Sequence, residues 1–453
     1  MSDLRTRTRK EAGALSRLAG PLIVNNLSIA GMSFADAVMS GRLGADSLAA
    51  VAVGASVWFL TFTLMLGILM AISPIAARHF GAGRFDLIGR YTRQGIYLAI
   101  AYGLLVAWFG RVLAGPLLEA IGIDPEFRGM TADYVAAITL GAPGMFIFLA
   151  LRFTTEGVGR TAPIMYTSIF ALVCNVFLNW VLMFGKLGAP ALGVVGCGLA
   201  SAISMWLIAA ALAWHMLGTK HYRQFGIFSK LAPPRPEVLW EIVTLGVPIA
   251  LTITAEAGLF NAVSLLMGTR GTNITAAHQI AINFAATMFM IPLAMSSAIT
   301  IRVGHLLGAG DLRNARFSGG LGIAICAGFM FCSAVFMLIF REAVVTLYTD
   351  DAIVRSIAIS LLLMAAIFQV ADGVQIGAAG ALRGYKDTRV PMMINIVSYW
   401  VIAFPLAFLA AVTFVMPPNY IWAGFVVGLT IAAVLLTWRY GRLSGHALRT
   451  GFA

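Results

Sequence analysis

The chain has 453 residues, of which 60% are hydrophobic and only 11% carry a charge. Soluble domains have about 25% charged residues, so this composition excludes an ordinary soluble protein and predicts a polytopic membrane protein. The formal net charge of +12 would suggest nucleic-acid binding in a soluble protein. Here the positions of the basic residues along the chain argue against that interpretation.

Twelve apolar stretches of the chain have about the 20 residues that a helix needs to cross a bilayer. In chain order they are 14–41, 47–77, 88–114, 131–152, 162–185, 192–217, 239–268, 274–304, 315–340, 353–382, 390–415 and 419–440. The sequence therefore predicts an all-α membrane protein with twelve transmembrane helices.

The 31 lysines and arginines concentrate in alternate loops between these stretches. If the N-terminus lies in the cytoplasm, most of them fall in segments that are also cytoplasmic. This distribution follows the positive-inside rule and predicts that both termini are cytoplasmic. Membrane orientation and attraction to anionic lipid then explain the positive charge, and we expect no nucleic-acid partner.

The two halves of the chain align with each other. Positions 21–83 superpose without a gap on positions 248–310, and Pro21 falls on Pro248. Matching prolines and glycines carry more weight than matching alanines, because they mark backbone geometry. The chain is therefore predicted to contain an internal repeat.

Six predicted spans separate equivalent points of the repeat, so both halves enter the membrane in the same direction. Parallel repeats of this kind are related by a pseudo-two-fold axis along the membrane normal. We predict a six-helix lobe at 1–217, a polar cytoplasmic linker at 218–238 and a second six-helix lobe at 239–453. Rocking of one lobe against the other would give alternating access to a cleft.

Three acidic residues lie inside long apolar stretches, namely Asp36, Glu256 and Asp372. A charged side chain at the bilayer centre costs at least roughly 2.5–3.5 kcal/mol. Apolar residues occupy the equivalent positions of the other half, whereas a packing role would more often repeat. We therefore predict that these carboxylates bind and release something positive.

In the first lobe, Asn175 and Asn179 are one helical turn apart and share a face with each other. Together with Asp36 they suit a site for a proton or a small cation. The alternative is a set of interhelical hydrogen bonds that holds the bundle together.

In the second lobe, Glu256 and Asp372 are predicted to face each other, with Thr252, Gln369 and Gln375 near them. Carboxylate, hydroxyl and amide oxygens suit a hard cation, here Na⁺ rather than Ca²⁺. A shared proton is the alternative, because two close carboxylates do not both ionise easily. No lysine or arginine is expected at the membrane depth of these two acids.

Besides Asp36, four further polar residues are candidates for substrate contacts: Ser56, Gln279, Asn283 and Asp351. Gln279 and Asn283 are one turn apart, and Ser56 is the repeat equivalent of Asn283. Asp351 lies in a predicted outer loop, where it would attract cations. Ordinary helix–helix hydrogen bonds and a solvated loop are the structural alternatives for these residues.

Motifs for chemistry are missing from the sequence. It contains no GxxxxGK[ST] and no HExxH, and its six histidines are scattered. We therefore expect neither an enzyme nor a bound cofactor. Two other functions stay open: a flippase for a lipid-linked saccharide or precursor, which would need a more cationic cleft, and an ion channel, against which the non-repeating acids argue.

With these features the chain resembles the multidrug and toxic compound extrusion (MATE) transporters, and among them the NorM-type subgroup. The resemblance rests on the twelve spans, on Pro21 and Asp36, on Glu256 and Asp372, and on the stretch RGYKDTRVP at 383–391. It implies a multidrug efflux antiporter of the bacterial inner membrane, expected as a monomer. The exported drugs and dyes would be bulky, cationic and aromatic, and inward Na⁺ or H⁺ flow would drive their export.

The resemblance also implies roles for individual residues. Glu256 and Asp372 would bind the coupling cation, and Asp36 would couple transport together with Asn175 and Asn179. A further implied group lies near the substrate: Ser56, Gln279 and Asp351.

Overall fold

The computed structural model describes residues 2–229 and 233–451 of the chain. These described residues are 87% helical, and no strand occurs among them. The helices of the N-terminal half are α1 (Ser2–Gly41), α2 (Ala45–Met70), α3 (Ile72–Gly81), α4 (Phe85–Val112), α5 (Ala114–Ala120), α6 (Pro125–Thr139), α7 (Ala142–Gly157), α8 (Ala162–Phe184), α9 (Gly193–Gly218) and α10 (Lys220–Arg223). Those of the C-terminal half are α11 (Pro236–Gly268), α12 (Thr272–Gly308), α13 (Leu312–Thr346), α14 (Ala352–Gly384), α15 (Arg389–Ile396), α16 (Phe404–Phe408) and α17 (Pro418–Thr450).

The described residues contain eleven helices that are long and apolar enough to cross a membrane, and twelve if the bent pair α6–α7 is one span. The prediction of an all-α, twelve-span membrane protein is thereby confirmed. The pair α6–α7 bends by 44°, where the sequence predicted one straight span at 131–152. Pro143 in the first turn of α7 explains the break, because proline cannot continue the hydrogen bonding of a preceding helix.

The chain forms two compact units, one of residues 21–250 and one of residues 1–20 with 251–453. The boundary inside α1 falls at Pro21, and the boundary inside α11 falls two residues after Pro248. These are the two prolines that the internal repeat superposes. The lobe boundaries predicted at 217 and 239 stay a prediction.

In the unit of residues 21–250, α9 packs against α6, α7 and α8, and α4 packs against α7. Gly198 allows α9 to approach α6 closely, since a Cβ atom there would lie 2.9 Å from the carbonyl oxygen of Tyr134. This approach fixes the face of α9 that carries the polar residues described below.

In the other unit, α14 is the central helix and packs against α12, α13 and α17. Gly380 permits the contact with α12, because a Cβ atom there would lie 2.5 Å from the carbonyl oxygen of Ser296. Most side chains in the second half of α14 are buried. A polar residue on this helix is therefore held inside protein rather than in lipid.

The helical run at 389–413 is irregular. It changes from α to π geometry at Val397–Ala403 and again at Leu409–Thr413. The wider π turn shifts the helical register, and such segments are frequent at functional sites. We call Val397–Ala403 the π segment.

Helix α1 begins at Ser2, before the apolar stretch that the sequence places at 14–41. Arg302 of α12 donates two hydrogen bonds to the carboxylate of Glu11, one of them from Nε at 2.9 Å. This ion pair and the buried Leu15 and Ala19 anchor the start of α1 within its own unit. The apolar segment of the first span is thus preceded by three further helical turns.

Candidate functional site

The first predicted site is a polar network around Asp36 in the unit of residues 21–250. The Asp36 carboxylate accepts hydrogen bonds from Asn179 Nδ2 at 2.6 Å and from Ser201 Oγ at 3.1 Å. Asn175 Nδ2 donates to Ser201 Oγ at 3.2 Å, and Asn175 Oδ1 accepts from Asn179 Nδ2 at 3.3 Å. The structure therefore brings together all three residues predicted from the sequence.

The two asparagines of this network are buried, whereas Asp36 is partly accessible. Asn179 Oδ1 has no hydrogen-bond partner among the residues that the structure describes. A buried acceptor without a partner costs about 1–3 kcal/mol. The oxygen belongs to the same amide group whose nitrogen donates to Asp36. A cation or a protonated group at this site would therefore find a second oxygen acceptor beside the carboxylate.

Ser201 belongs to this network and was not predicted from the sequence. It lies on α9, one turn after Cys197, and links Asn175 to Asp36. Nothing in the sequence distinguishes Ser201 from Ser204, whose hydroxyl donates to the carbonyl of Ala200 in its own helix at 2.8 Å. Only the packing of α9 against α8 shows which serine faces the carboxylate.

The second predicted site lies in the other unit, where Glu256 of α11 and Asp372 of α14 interact electrostatically. Asp372 is buried, and its Oδ1 atom has no hydrogen-bond partner in residues 2–229 and 233–451. Thr252 lies one turn before Glu256 and is partly buried. No cluster of three or more His, Cys, Asp or Glu side chains suited to a metal ion occurs among the described residues. Additional ligands beside the acid pair would therefore be neutral oxygens.

Neutral oxygens are present on α14. Gln375 is fully buried, and neither its amide oxygen nor its amide nitrogen has a partner in the described part of the chain. Gln369 Oε1 accepts a hydrogen bond from Ser333 Oγ at 3.0 Å. Phe368 instead packs on Trp422, with ring centroids 5.8 Å apart, and so belongs to the apolar core.

Tyr399, in the π segment, was missed by sequence reasoning. It is fully buried and interacts electrostatically with both Glu256 and Asp372. Its hydroxyl has no hydrogen-bond partner among the described residues, and the same holds for the side chains of Asn395 and Ser398 nearby in the same helical run. Buried polar groups without partners are rare in proteins and call for an explanation, such as a bound water or ion.

Trp400 fixes the π segment against α11. Its Nε1–H donates to the carbonyl oxygen of Ala255 at 3.1 Å. A Cβ atom at Gly258 would lie 2.9 Å from Trp400 Cζ2, so glycine makes room for the indole ring. The neighbouring Tyr399 is thereby held at the level of Glu256.

Arg383 corrects one expectation from the sequence. No lysine or arginine was expected at the membrane depth of the acid pair. In the structure Arg383 lies in the last turn of α14, is buried, donates from Nη2 to Ser296 Oγ at 2.8 Å, and interacts electrostatically with Glu256. An arginine has a long flexible stem, so its position in the sequence does not show where its charge lies.

The four predicted substrate residues are not brought together by any contact within one unit. Ser56, in the unit of residues 21–250, is exposed and donates to the carbonyl of Ala52. In the other unit, Gln279 lines a cavity of about 610 Å³, and Asn283 accepts a hydrogen bond from Tyr348 at 3.1 Å. Asp351 caps α14 by accepting from the backbone of Ile353 at 2.8 Å. Their contacts with a substrate stay a prediction.

Comparison with known families decides the class of the protein. The model of the MatE family matches the chain twice, at residues 21–181 and 248–409. The chain belongs to the MatE family. The two matches start at the prolines that the internal repeat superposes, so this MATE chain carries the family's domain in duplicate.

Curated relatives extend over nearly the whole MATE chain. It is 39% identical to the multidrug resistance protein PmpM of Pseudomonas aeruginosa over 450 residues. This alignment covers 98% of the chain and 94% of PmpM. It is 38% identical over 439 residues to the multidrug resistance protein NorM of Aliivibrio fischeri, covering 96% and 95%. The predicted NorM-type resemblance is thereby confirmed.

Solved structures show the same fold. An outward-facing multidrug resistance MATE transporter superposes with a TM-score of 0.88 at 20% identity, covering 96% of both chains. The eukaryotic MATE transporter AtDTX14 superposes with a TM-score of 0.85 at 22% identity, covering 98% of this MATE chain and all of its own. At this level of identity the likeness concerns the fold alone.

Proposed function

We propose that this MATE transporter exports bulky, cationic and aromatic compounds in exchange for an inward flow of Na⁺ or H⁺. Support comes from the family and from relatives that are named multidrug resistance proteins. The single observation that carries the coupling hypothesis is the acid pair of the partly buried Glu256 and the buried Asp372, near which several buried polar atoms have no partner among the described residues. A static network would have satisfied those atoms.

The charge balance of the second-lobe site fits one monovalent ion. Two ionised carboxylates carry two negative charges, and we take the Arg383 guanidinium, which interacts electrostatically with Glu256, to offset one of them. One Na⁺ or one proton would neutralise the remaining charge, whereas a divalent ion would overcompensate it. Buried charges without compensation are strongly unfavourable, so the site is expected to hold one cation in its most stable state.

Oxygen ligands for such a cation are available from three helices. The carboxylates come from α11 and α14, Gln375 adds an amide on α14, and Tyr399 adds a phenol from the π segment. A set made only of oxygens suits a hard cation. The same atoms could bind a proton that is shared by the acid pair.

Asp36 supplies a separate negative charge in the other unit. Its described hydrogen-bond donors are the neutral side chains of Asn179 and Ser201. A carboxylate in this setting binds either a proton or a cationic group of the substrate, and the two compete. Competition of this kind couples the two flows only if the ion favours one arrangement of the transporter over the other.

The driving force is sufficient for export. One elementary charge that crosses 100 mV provides about 2.3 kcal/mol, which sustains a gradient of roughly fifty-fold. The exchange of one cation for a monovalent cationic drug would use the ion gradient instead of the voltage. Stoichiometry therefore decides which component of the gradient matters.

Dye efflux from proteoliposomes tests the proposal. The purified full chain is reconstituted into proteoliposomes that contain an ethidium-type dye. First an Na⁺ gradient and then a pH gradient is imposed across the vesicle membrane. We expect one of the two gradients to drive efflux, and we expect Glu256→Gln and Asp372→Asn to abolish it. Glu342→Gln, which removes an exposed carboxylate elsewhere, serves as the control. Ion-dependent efflux that persists at the wild-type rate in both acid-pair variants would refute the assignment.

A further inference from the structure

Three arginines converge on a cavity in the unit that contains α13 and the start of α1. The cavity has a volume of about 580 Å³, within the range of small-molecule sites. Its basic lining residues are Arg7 of α1 and Arg313 and Arg316 of α13. All of them lie in segments that the positive-inside rule assigns to the cytoplasmic side.

Arg7 is held in a fixed orientation at this cavity. Its Nη2 donates to Asn314 Oδ1 at 2.6 Å, and its guanidinium lies 4.1 Å from the ring centroid of Phe317. Its Nε atom is buried and has no hydrogen-bond partner among the described residues. Asn314 and Phe317 are neutral, so their contacts orient the guanidinium of Arg7 but do not compensate its charge.

Among the side chains that the structure describes, those of residues 4–229 and 233–451, no carboxylate forms an ion pair with Arg7, Arg313 or Arg316. Asp311 is the acid nearest to Arg313 and Arg316 along the chain, and both of its oxygens accept hydrogen bonds from Asn314. Arg313 and Arg316 are exposed and Arg7 is partly buried, so three positive charges border the cavity and attract an anion to it.

Other basic residues of the same unit differ in this respect. Arg302 is paired with Glu11, and Arg439 donates to Asp387 at 2.7 Å. The chain therefore uses acids to compensate arginines elsewhere in this unit. At the cavity, Arg7 contacts neutral groups instead, which leaves its charge available to an external anion.

The rest of the cavity wall is mostly apolar, and its side chains come from α1, α13 and α17: Leu4, Phe317, Leu321 and Leu448. An inorganic anion would leave these side chains in contact with water. A molecule with an anionic headgroup and hydrocarbon chains would contact both the arginines and the apolar wall. Basic pockets between transmembrane helices on the cytoplasmic side bind phospholipid headgroups in this manner.

We propose that this cavity is a binding site for an anionic phospholipid of the cytoplasmic leaflet. The phosphate of the headgroup contacts Arg7, Arg313 and Arg316, and the acyl chains lie against the leucines and Phe317. The guanidinium groups are suited to this task, because their planar forks bind phosphate oxygens bidentately. Binding joins the start of α1 to α13 and stabilises their packing.

Thermal unfolding of the delipidated full chain in neutral detergent tests the site. Addition of phosphatidylglycerol is expected to raise Tm in a saturable manner, whereas phosphatidylcholine has no comparable effect. Native mass spectrometry is expected to show phosphatidylglycerol that remains bound when other lipids dissociate. An equal rise of Tm with phosphatidylcholine would overturn the proposal, because the site would then not recognise negative charge.

Variants connect the effect to the three arginines. Arg313→Gln together with Arg316→Gln is expected to remove most of the Tm rise and the retained lipid, and the matched pair of lysine substitutions is expected to keep part of both. Arg84→Gln, which removes an exposed charge from the other unit, is the control. A double glutamine variant that binds phosphatidylglycerol like the wild type would overturn the proposal.

Inorganic phosphate and glycerol phosphate separate a lipid site from a simple anion site. Neither is expected to raise Tm at concentrations where phosphatidylglycerol saturates, because neither reaches the apolar wall. An equal Tm rise with glycerol phosphate would show that the cavity binds free phosphate compounds, and the lipid assignment would fail.

Discussion

The indole of Trp400 is hydrogen-bonded to the carbonyl of Ala255, the residue that directly precedes Glu256. This bond joins the π segment to α11 at the level of the second-lobe carboxylates. It also explains why Tyr399, which was not predicted from the sequence, lies within electrostatic reach of both acids. The geometry of the candidate ion site therefore depends on an interaction outside the acid pair.

Trp400→Phe is expected to weaken ion coupling without abolishing it. The substitution removes one hydrogen bond with a net value of about 1 kcal/mol, so the half-saturating ion concentration for efflux should rise roughly five-fold. Trp206→Phe is the matched control, because Trp206 donates to the carbonyl of Leu140 in the other unit at the same 3.1 Å. Similar ion dependence in both variants would show that the Trp400 bond does not position the site.

Tyr399→Phe removes a single oxygen from the neighbourhood of Glu256 and Asp372. A hydrogen bond to a charged group contributes about 1.5–3 kcal/mol, so we expect the affinity for the coupling ion to fall by roughly ten-fold or more. The Michaelis constant for the dye should change little. Tyr102→Phe controls for a general loss of stability, because it removes a hydroxyl that donates a hydrogen bond to the backbone carbonyl of Thr61 in the other unit.

Ion binding to the Tyr399 variant can be measured apart from transport, for example by the change of tryptophan fluorescence on addition of Na⁺ or on acidification. A wild-type binding curve for Tyr399→Phe would exclude the phenol as an ion ligand.

Arg383→Gln is expected to tighten ion binding and slow turnover. Without the guanidinium, two carboxylates face the cation alone, so the half-saturating ion concentration should fall while the maximal efflux rate decreases. Arg383→Lys keeps the charge and should retain the wild-type ion dependence. Efflux is measured over a series of ion concentrations in proteoliposomes.

Because Arg383 also donates to Ser296 Oγ, Ser296→Ala is needed beside the charge variants. It removes the hydrogen bond and leaves the charge of Arg383 in place. If Ser296→Ala and Arg383→Gln change the ion dependence equally, the role of Arg383 is structural rather than electrostatic.

Much of the architecture could be predicted from the sequence, because the bilayer requires long apolar helices and tolerates few charges inside them. The twelve spans and the candidate residues Asp36, Glu256 and Asp372 follow from these two constraints, and the repeat follows from matching prolines and glycines. The break between α6 and α7 had a visible signal in Pro143, but a continuous apolar run outweighed it.

The site residues that sequence reasoning missed have one property in common. Ser201, Tyr399 and Trp400 are uncharged residues of types that are common in membrane helices, and only packing shows which way they face. The interaction of Arg383 with Glu256 was missed because its Cα position lies at a helix end while its guanidinium is buried. A pattern along the chain gives depth and periodicity, but the direction of a long side chain depends on its neighbours.

Ser201→Ala and Ser204→Ala form a matched pair that tests the first-lobe site. Both serines lie on α9 one turn apart, and both are buried, but only Ser201 donates to Asp36, while Ser204 bonds its own helix. Loss of a hydrogen bond to a carboxylate costs about 1.5–3 kcal/mol of differential stabilisation. We therefore expect Ser201→Ala to change the rate of dye efflux by roughly ten-fold and to shift its pH dependence, as a milder version of Asp36→Asn. Ser204→Ala is expected to behave like the wild type. Since the two substitutions remove the same atom from the same helix, equal effects would mean that the serine hydroxyls contribute only to helix packing.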